Sequence, residues 1–188
     1  MGMPAEDTAL MLRYAQDGDM AAFETLYSRH KDPLYRYLLR LSGQRDNAAD
    51  LCQEVWSKVI RARAGYRPTA KFSTWLYRIA HNAFIDQVRR NRRYDDRSAD
   101  PDLLADPGHG PEQGAERRRL RERLFAALAG LPEEQRDAFL LQEEAGLTLD
   151  EIASVTGVPR ETAKSRLRYA AAKLRKALAE PAAPLEDA

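Results

Sequence analysis

The chain holds a single cysteine, Cys52. No internal disulfide can form, which fits a protein of the reducing cytoplasm. No run approaches the roughly 18 apolar residues that span a bilayer, so membrane insertion is not expected. The first twelve residues carry acids where a secretory signal needs a basic start and an apolar centre, so secretion is not expected either. His30, His81 and His109 have no cysteine or paired histidine near them in sequence, and neither a metal nor another cofactor is implied. Phosphate loop and nucleophile elbow are both missing, which argues against an enzyme. No convincing strand pattern and no internal repeat occurs. What these absences leave is an all-α, cytoplasmic, non-enzymatic chain.

The 188 residues suit one or two small domains, with 44% hydrophobic and 31% charged residues in ordinary balance. The net charge of +1 conceals a strong pattern. Residues 58–93 hold ten bases against Asp86 alone, a block of +9. Residues 94–116 hold seven acids against Arg97, a block of −6. Residues 158–176 hold seven bases against Glu161, a block of +6. Two basic blocks around an acidic spacer suit two contacts with a polyanion. Charge alone leaves two solvated helix faces as an equal reading.

Apolar residues at three- and four-residue steps predict helices over 8–14 and 19–41, the second capped by Asp19 and ended at Ser42-Gly43. Pro33 inside that run predicts a break or kink near Lys31-Asp32. A third helix is expected from Asp46 or Asn47 to about Ala64, and a fourth from Phe72 to about Arg92 with Ser73 as its cap. Residues 95–115 have no period and are rich in Asp, Pro and Gly, as in a flexible linker. Helices resume over 115–129, where Leu120, Leu124, Ala127 and Leu128 form the expected buried stripe. Pro132 is placed to open the next helix, which stops at Gly146. The layout is two small helical domains, 8–94 and 116–179, a linker at 95–115, and an acidic tail at 180–188.

Residues 147–178 carry the most information. Thr148 and Glu151 form a capping box at the start of a short helix. Ala153 is small where a second helix crosses above it. Gly157 supplies the positive φ of a tight turn. Val158 plugs the corner, and Pro159 opens a long helix with Ala163, Leu167, Ala170, Leu174 and Leu178 on its buried side. This is the pattern of a helix-turn-helix. Arg160, Glu161, Thr162, Lys164, Ser165 and Arg168 lie toward the N-terminal half of its second helix, the part that enters a major groove. Arginine and lysine there donate to guanine edges or phosphates, and Glu161 can accept from a cytosine amino group. The rival reading is a helical hairpin with a charged surface.

The segment LTLDEIASVTGVPRETAKSRLRYAAAKLRKAL, residues 147–178, resembles the C-terminal promoter-binding region of bacterial sigma factors of the extracytoplasmic-function group. LPEEQRDAFLLQEEAGLT, residues 131–148, resembles the helix before it. In the N-terminal half, DLCQEVWSKVIRA at 50–62 is similar to the family's core-polymerase-binding helix. FSTWLYRIAHNAFIDQVRR at 72–90 is similar to its minus-10-binding helix. The resemblance covers about residues 10–95 and 116–178 and leaves out the linker and both tails.

The resemblance implies roles. Asp50, Gln53 and Glu54, which share a helix face by their spacing, would meet the clamp helices of the largest polymerase subunit. The C-terminal domain would lie on the flap of the second largest. Tyr66, Arg67 and Lys71 fall in the loop, and Asn82 at the polar position, that trap an unstacked minus-10 base. Arg78, Arg89 and Arg90 would take phosphates there, and Asp86 would tune which base is chosen. Trp56 stands where the family more often has phenylalanine and reads as packing that leaves the role unchanged; Ala163 is smaller than the valine common in the family, which weakens transfer of promoter preference. Trp75, Phe72 and Leu76 read as core, His81 as a partly exposed helical histidine and Cys52 as a packed thiol. An anti-sigma protein is the default regulator, since no long C-terminal extension is present for self-control. With a flexible linker, the domains are expected to separate on polymerase and to pack together when free. A stand-alone operator-binding regulator is the alternative, but it leaves the first 95 residues without a role.

Overall fold

The computed structural model describes residues 4–94 and 115–179. The expected linker, apart from Ala115, and the acidic tail lie outside the described residues. Eight α-helices follow in order: α1 (Pro4–Asp17), α2 (Met20–Ser42), α3 (Arg45–Ala62), α4 (Phe72–Tyr94), α5 (Ala115–Ala129), α6 (Glu133–Glu143), α7 (Leu149–Thr156) and α8 (Arg160–Ala179). A 3-10 turn, Arg63–Gly65, follows α3. No strand occurs among the described residues.

Local chemistry sets most of these boundaries. The Asp19 carboxylate accepts from the Ala22 amide at 3.1 Å and caps α2. At its other end Gly43, with φ of 73°, turns its N–H back to the Leu39 carbonyl at 2.9 Å. The starts of α3 and α4 differ from expectation. Gln44 takes the N-cap position of α3 without capping a backbone amide through its side chain, and α3 begins one residue or more ahead of the expected start. In α4 the Lys71 carbonyl accepts from the Trp75 amide at 3.1 Å, so Lys71 and not Ser73 sits at the helix entry.

The expected break at Pro33 does not occur, and α2 runs unbroken from Met20 to Ser42. An interior proline costs about 3 kcal/mol. Leu26, Leu34 and Leu38 flank it and are fully buried. Burying three leucines contributes roughly 5–9 kcal/mol, enough to offset that cost.

The N-terminal half packs α1 to α4 around Met11, Leu26, Leu34, Leu38, Leu51, Val55, Val59, Phe72 and Leu76. The C-terminal half packs α5 to α8 around Leu128, Leu140, Leu141, Leu147, Ile152, Ala170 and Leu174. Leu120 is not in that stripe: it is 55% exposed, near the start of α5, while the buried contacts of α5 come from its second half, at Leu128. The halves are in contact, α2 against α6 and α4 against α7. That closure places side chains from both halves in one interface.

The turn between α7 and α8 follows its residues closely. Thr148 accepts from the Glu151 amide at 3.4 Å, and the Glu151 carboxylate accepts from the Thr148 amide at 2.9 Å, a complete capping box. Gly157 has φ of 68°, a conformation that costs other residues about 1–2 kcal/mol. Its N–H and that of Val158 both return to the Ala153 carbonyl. The Pro159 carbonyl accepts from Thr162 and Ala163 at 2.9 and 3.1 Å, so α8 proper begins at Arg160, one residue later than expected. Pro132 is likewise one residue outside α6, its carbonyl bonding Gln135 and Arg136 at 3.0 Å.

Candidate nucleic-acid and polymerase interfaces

The long helix α8 buries Ala163, Ala170 and Leu174 and turns its opposite side to solvent. Arg160, Glu161, Thr162, Lys164 and Arg168 are exposed there, and Ser165 is half-buried among them. The Arg160 Nε donates to Asp150 at 2.8 Å, which holds the guanidinium over the α7–α8 turn. Lys164 lies 3.5 Å from Glu161, one helical turn back. At such exposure these pairs contribute little and exchange readily for phosphate. The Arg168 guanidinium stacks on the Tyr169 ring at 4.9 Å. Tyr169 is itself 51% exposed and was not singled out from sequence. An aromatic next to the basic stripe of a recognition helix was the available signal.

The second face is built on α4. Phe72, Leu76, Tyr77, Ala80, Ala83 and Phe84 are buried against the other helices. The remaining side carries Arg78, Asn82, Asp86, Arg89 and Arg90, all exposed and spaced to share it. In the loop before α4, Arg67 and Lys71 are exposed. Tyr66 is not: it is 4% exposed and packs edge-on against Trp75, ring centroids 4.9 Å apart. In this conformation it offers no ring face for stacking. Trp75 itself lies half-buried between Tyr66 and Phe72, as a core residue does.

The third face lies on α3. Asp50 and Gln53 are exposed. Glu54 is engaged instead, with Lys58 at 2.7 Å and Arg90 of α4 at 3.4 Å. Burial pushes the Glu54 carboxyl up, but the two cations outweigh it and hold it below the usual carboxylate range. A residue expected to meet polymerase and one expected to meet DNA are thus paired with each other. Beside this face a shallow groove of about 330 Å³ is lined by Tyr27, Lys31, Asp32, Tyr35, Cys52, Gln53 and Trp56. Trp56 is 8% exposed and packs edge-on against Tyr27 at 4.9 Å.

Burial alone pushes the Cys52 thiol up to about 12. At neutral pH only about one thiol in 10⁵ is then ionised, and the thiolate is the reactive form. Alkylation by iodoacetamide at neutral pH is expected to be negligible in the native chain and ordinary in urea. Equal rates in both would mean the thiol is open to solvent.

The contacts between the halves were not foreseen residue by residue. Asp137 of α6 is 4% exposed. It accepts from the Tyr37 hydroxyl of α2 at 2.7 Å and meets Nδ1 of His81 on α4 at 2.8 Å. A carboxylate only accepts, so His81 carries a proton on Nδ1. The His81 side chain is 13% exposed, a partly exposed helical histidine as expected, and its contact with Asp137 is what spacing along the chain does not show. Burial and the Asp137 charge together hold the Tyr37 hydroxyl well above its ordinary pKa. Glu144 sits between Arg36, at 3.0 Å, and Arg40. Glu151 meets Lys71 at 3.0 Å and accepts from Thr74 at 3.1 Å. Arg78 donates to the Ser154 hydroxyl at 2.6 Å. Among the described residues no cluster of three or more His, Cys, Asp or Glu could hold a metal ion. No described helix is long and apolar enough to cross a membrane.

Two helical domains, one with an exposed basic recognition helix and one with a basic helix beside an acidic face, define a nucleic-acid-binding protein with two basic faces. Comparison with known proteins agrees. The family description Sigma-70 region 2 matches residues 26–94, and Sigma-70, region 4 matches residues 127–176. The ECF RNA polymerase sigma factor SigE of Mycolicibacterium smegmatis is 36% identical over 182 residues, covering 94% of this chain and 70% of that one. RNA polymerase sigma factor CarQ of Myxococcus xanthus is 32% identical, covering 88% of this chain and 94% of that one. The sigma factor RpoE of Bartonella quintana, solved in complex with the anti-sigma factor NepR, shares the fold with a TM-score of 0.71. That match is 24% identical and covers 83% of this chain and 96% of the other. The chain belongs to the extracytoplasmic-function sigma factors of the sigma-70 family.

Proposed function

We propose that the chain works as a dissociable specificity subunit with four separate contacts. The exposed face of α8, through Arg160, Glu161, Thr162, Lys164, Ser165 and Arg168, reads the minus-35 element in the major groove. The face of α4, with Arg67, Lys71, Arg78, Asn82, Asp86, Arg89 and Arg90, takes the minus-10 strand. Tyr66 supports that loop from beneath rather than touching a base. The α3 face of Asp50, Gln53 and Glu54, with the adjoining groove, meets the clamp helices of the largest polymerase subunit. The C-terminal domain rests on the flap of the second largest. The domain limits are 8–94 and 116–179.

The observation that carries this reading is the pairing of two basic helices on separate domains, each buried on one side and charged on the other. No catalytic step is assigned to the chain: it works in the cytoplasm by binding, and opening DNA here requires only capture of unstacked bases. An anti-sigma protein is the expected regulator, covering the polymerase and DNA faces. That proposal is supported by the solved relative bound to one.

The test is transcription in vitro with core polymerase and a fragmented genomic template, start sites being read by sequencing. Discrete starts that share two upstream elements and vanish without the protein are expected. No starts, together with tight binding of duplex DNA by the protein alone, would instead favour an operator-binding regulator.

A further inference from the structure

The three cations on the recognition face of α8 are not equivalent. Arg160 meets Asp150 at 2.8 Å and Glu161 at 3.7 Å, and Lys164 meets Glu161 at 3.5 Å. Each has to leave a carboxylate before it serves DNA. Arg168 has no carboxylate within ion-pair distance among the described residues. Its partner is neutral. The guanidinium lies 4.9 Å from the centroid of the Tyr169 ring, and its Nη2 donates to the Tyr169 hydroxyl at 3.2 Å. Tyr169 is 51% exposed and adds little to a helix held by Ala163, Ala170 and Leu174 on its other side. What the ring does is fix the direction of a long cationic side chain that solvent would otherwise leave mobile.

Position along α8 says what the pair meets. Arg168 follows Arg160 by eight residues, roughly 12 Å at about 1.5 Å per residue. The major groove is itself about 12 Å wide. With the N-terminal end of α8 in the groove, Arg168 and Tyr169 stand at its rim, where phosphate oxygens rather than base edges are in reach. The Tyr169 hydroxyl accepts from Arg168 and keeps its own proton to donate, while Arg168 keeps its other N–H groups. Both side chains can therefore donate to one phosphate.

We propose that Arg168 and Tyr169 form a single preset phosphate clamp at the rim of the minus-35 major groove. Arg168 supplies the charge, Tyr169 positions it, and the pair anchors α8 without selecting a base. The inference rests on α8 being the minus-35 surface.

The test is holoenzyme binding to a duplex that carries the minus-35 element of a promoter found by the transcription experiment. Arg168→Ala is expected to weaken binding about tenfold and to lower the salt slope by about 0.9. Tyr169→Ala is expected to weaken it about fivefold with the slope kept, since no charge is removed. Tyr169→Phe keeps the ring and loses the hydroxyl, so it should fall between wild type and Tyr169→Ala. The double alanine variant should lose clearly less than the product of the two single losses, the mark of a coupled pair. Base preference, read from a duplex pool randomised over the minus-35 element, should be the same for Arg168→Ala as for wild type.

Single losses that simply multiply overturn the coupling of the two side chains. A changed preference at a base position overturns the assignment to a phosphate. Unchanged binding in all four variants overturns the clamp, and Lys164→Ala then separates its failure from that of the underlying reading. If Lys164→Ala still weakens binding, α8 keeps its place at minus-35 and only the clamp is lost. If it too has no effect, the minus-35 reading of α8 fails, and the clamp fails with it.

Discussion

Asp137→Ala is expected to lower the thermal midpoint by roughly 6–12 °C. The carboxylate serves two groups, the Tyr37 hydroxyl at 2.7 Å and the His81 ring at 2.8 Å. Tyr37 is fully buried, so its hydroxyl has no water to turn to when the acceptor is removed. An orphaned buried polar group costs about 1–3 kcal/mol, and two together about 3 kcal/mol when the more accessible histidine partly rehydrates. In a chain of this length each kcal/mol moves the midpoint by about 2–4 °C. Asp137→Asn is the informative control. Its amide oxygen still accepts from one partner, so its loss is expected to be clearly smaller. Identical midpoints for the two variants would show that hydrogen bonding at this seam contributes nothing. Calorimetry on the full chain decides it.

The second large effect concerns α8. Replacing Arg160, Lys164 and Arg168 together with alanine is expected to weaken holoenzyme binding to a minus-35-bearing duplex by 100- to 1,000-fold, on the order of 3–4 kcal/mol. Three cations each contributing about 1 kcal/mol or more at base edges or phosphates give that sum. Salt dependence separates the two kinds of interaction. Every phosphate that is no longer neutralised takes about 0.9 off the slope of log affinity against log salt. A slope lower by nearly three would assign all three residues to phosphates. A smaller fall, with altered preference at single base positions, would assign some of them to base edges. Unchanged affinity and slope would remove α8 from the promoter interface. The helix is held by Ala163, Ala170 and Leu174 on its far side, so the exposed substitutions leave the fold intact.

Acid should loosen the seam at Glu151. Burial raises the Glu151 pKa, but the Thr148 amide, Lys71 and the Thr148 and Thr74 hydroxyls outweigh it and hold it below the ordinary carboxylate value. The stabilisation is therefore complete above the unfolded-state pKa, and it is lost as pH falls through the lowered, native one.

Much of this architecture was legible because it is written locally. The caps at Asp19 and Thr148, the positive-φ glycines 43 and 157, and the three-four spacing of buried residues all act within one or two helical turns. So does the exposed stripe of α8. The break that Pro33 suggests is absent because its penalty is local, whereas the burial that overrides it is tertiary. Leu120 misled because periodicity shows that a helix has an apolar side but not how far a neighbour extends along it. The Asp137 cluster joins residues 56 and 100 positions apart, and no spacing rule reaches that far. The engagement of Lys71 and Arg78 by α7 belongs to the same class: each residue was legible, and its partner was not.

Glu151 has one further consequence. Its carboxylate is shared between the Thr148 amide and hydroxyl, within α7, and Lys71 and Thr74, across the seam. Parting the halves would give up only the second pair. The N-terminus of α7 therefore stays wound, and the C-terminal half can move as a rigid body. Amide hydrogens of α7 should keep their protection from exchange in both states. The first turn of α7 would thus survive such a parting without melting.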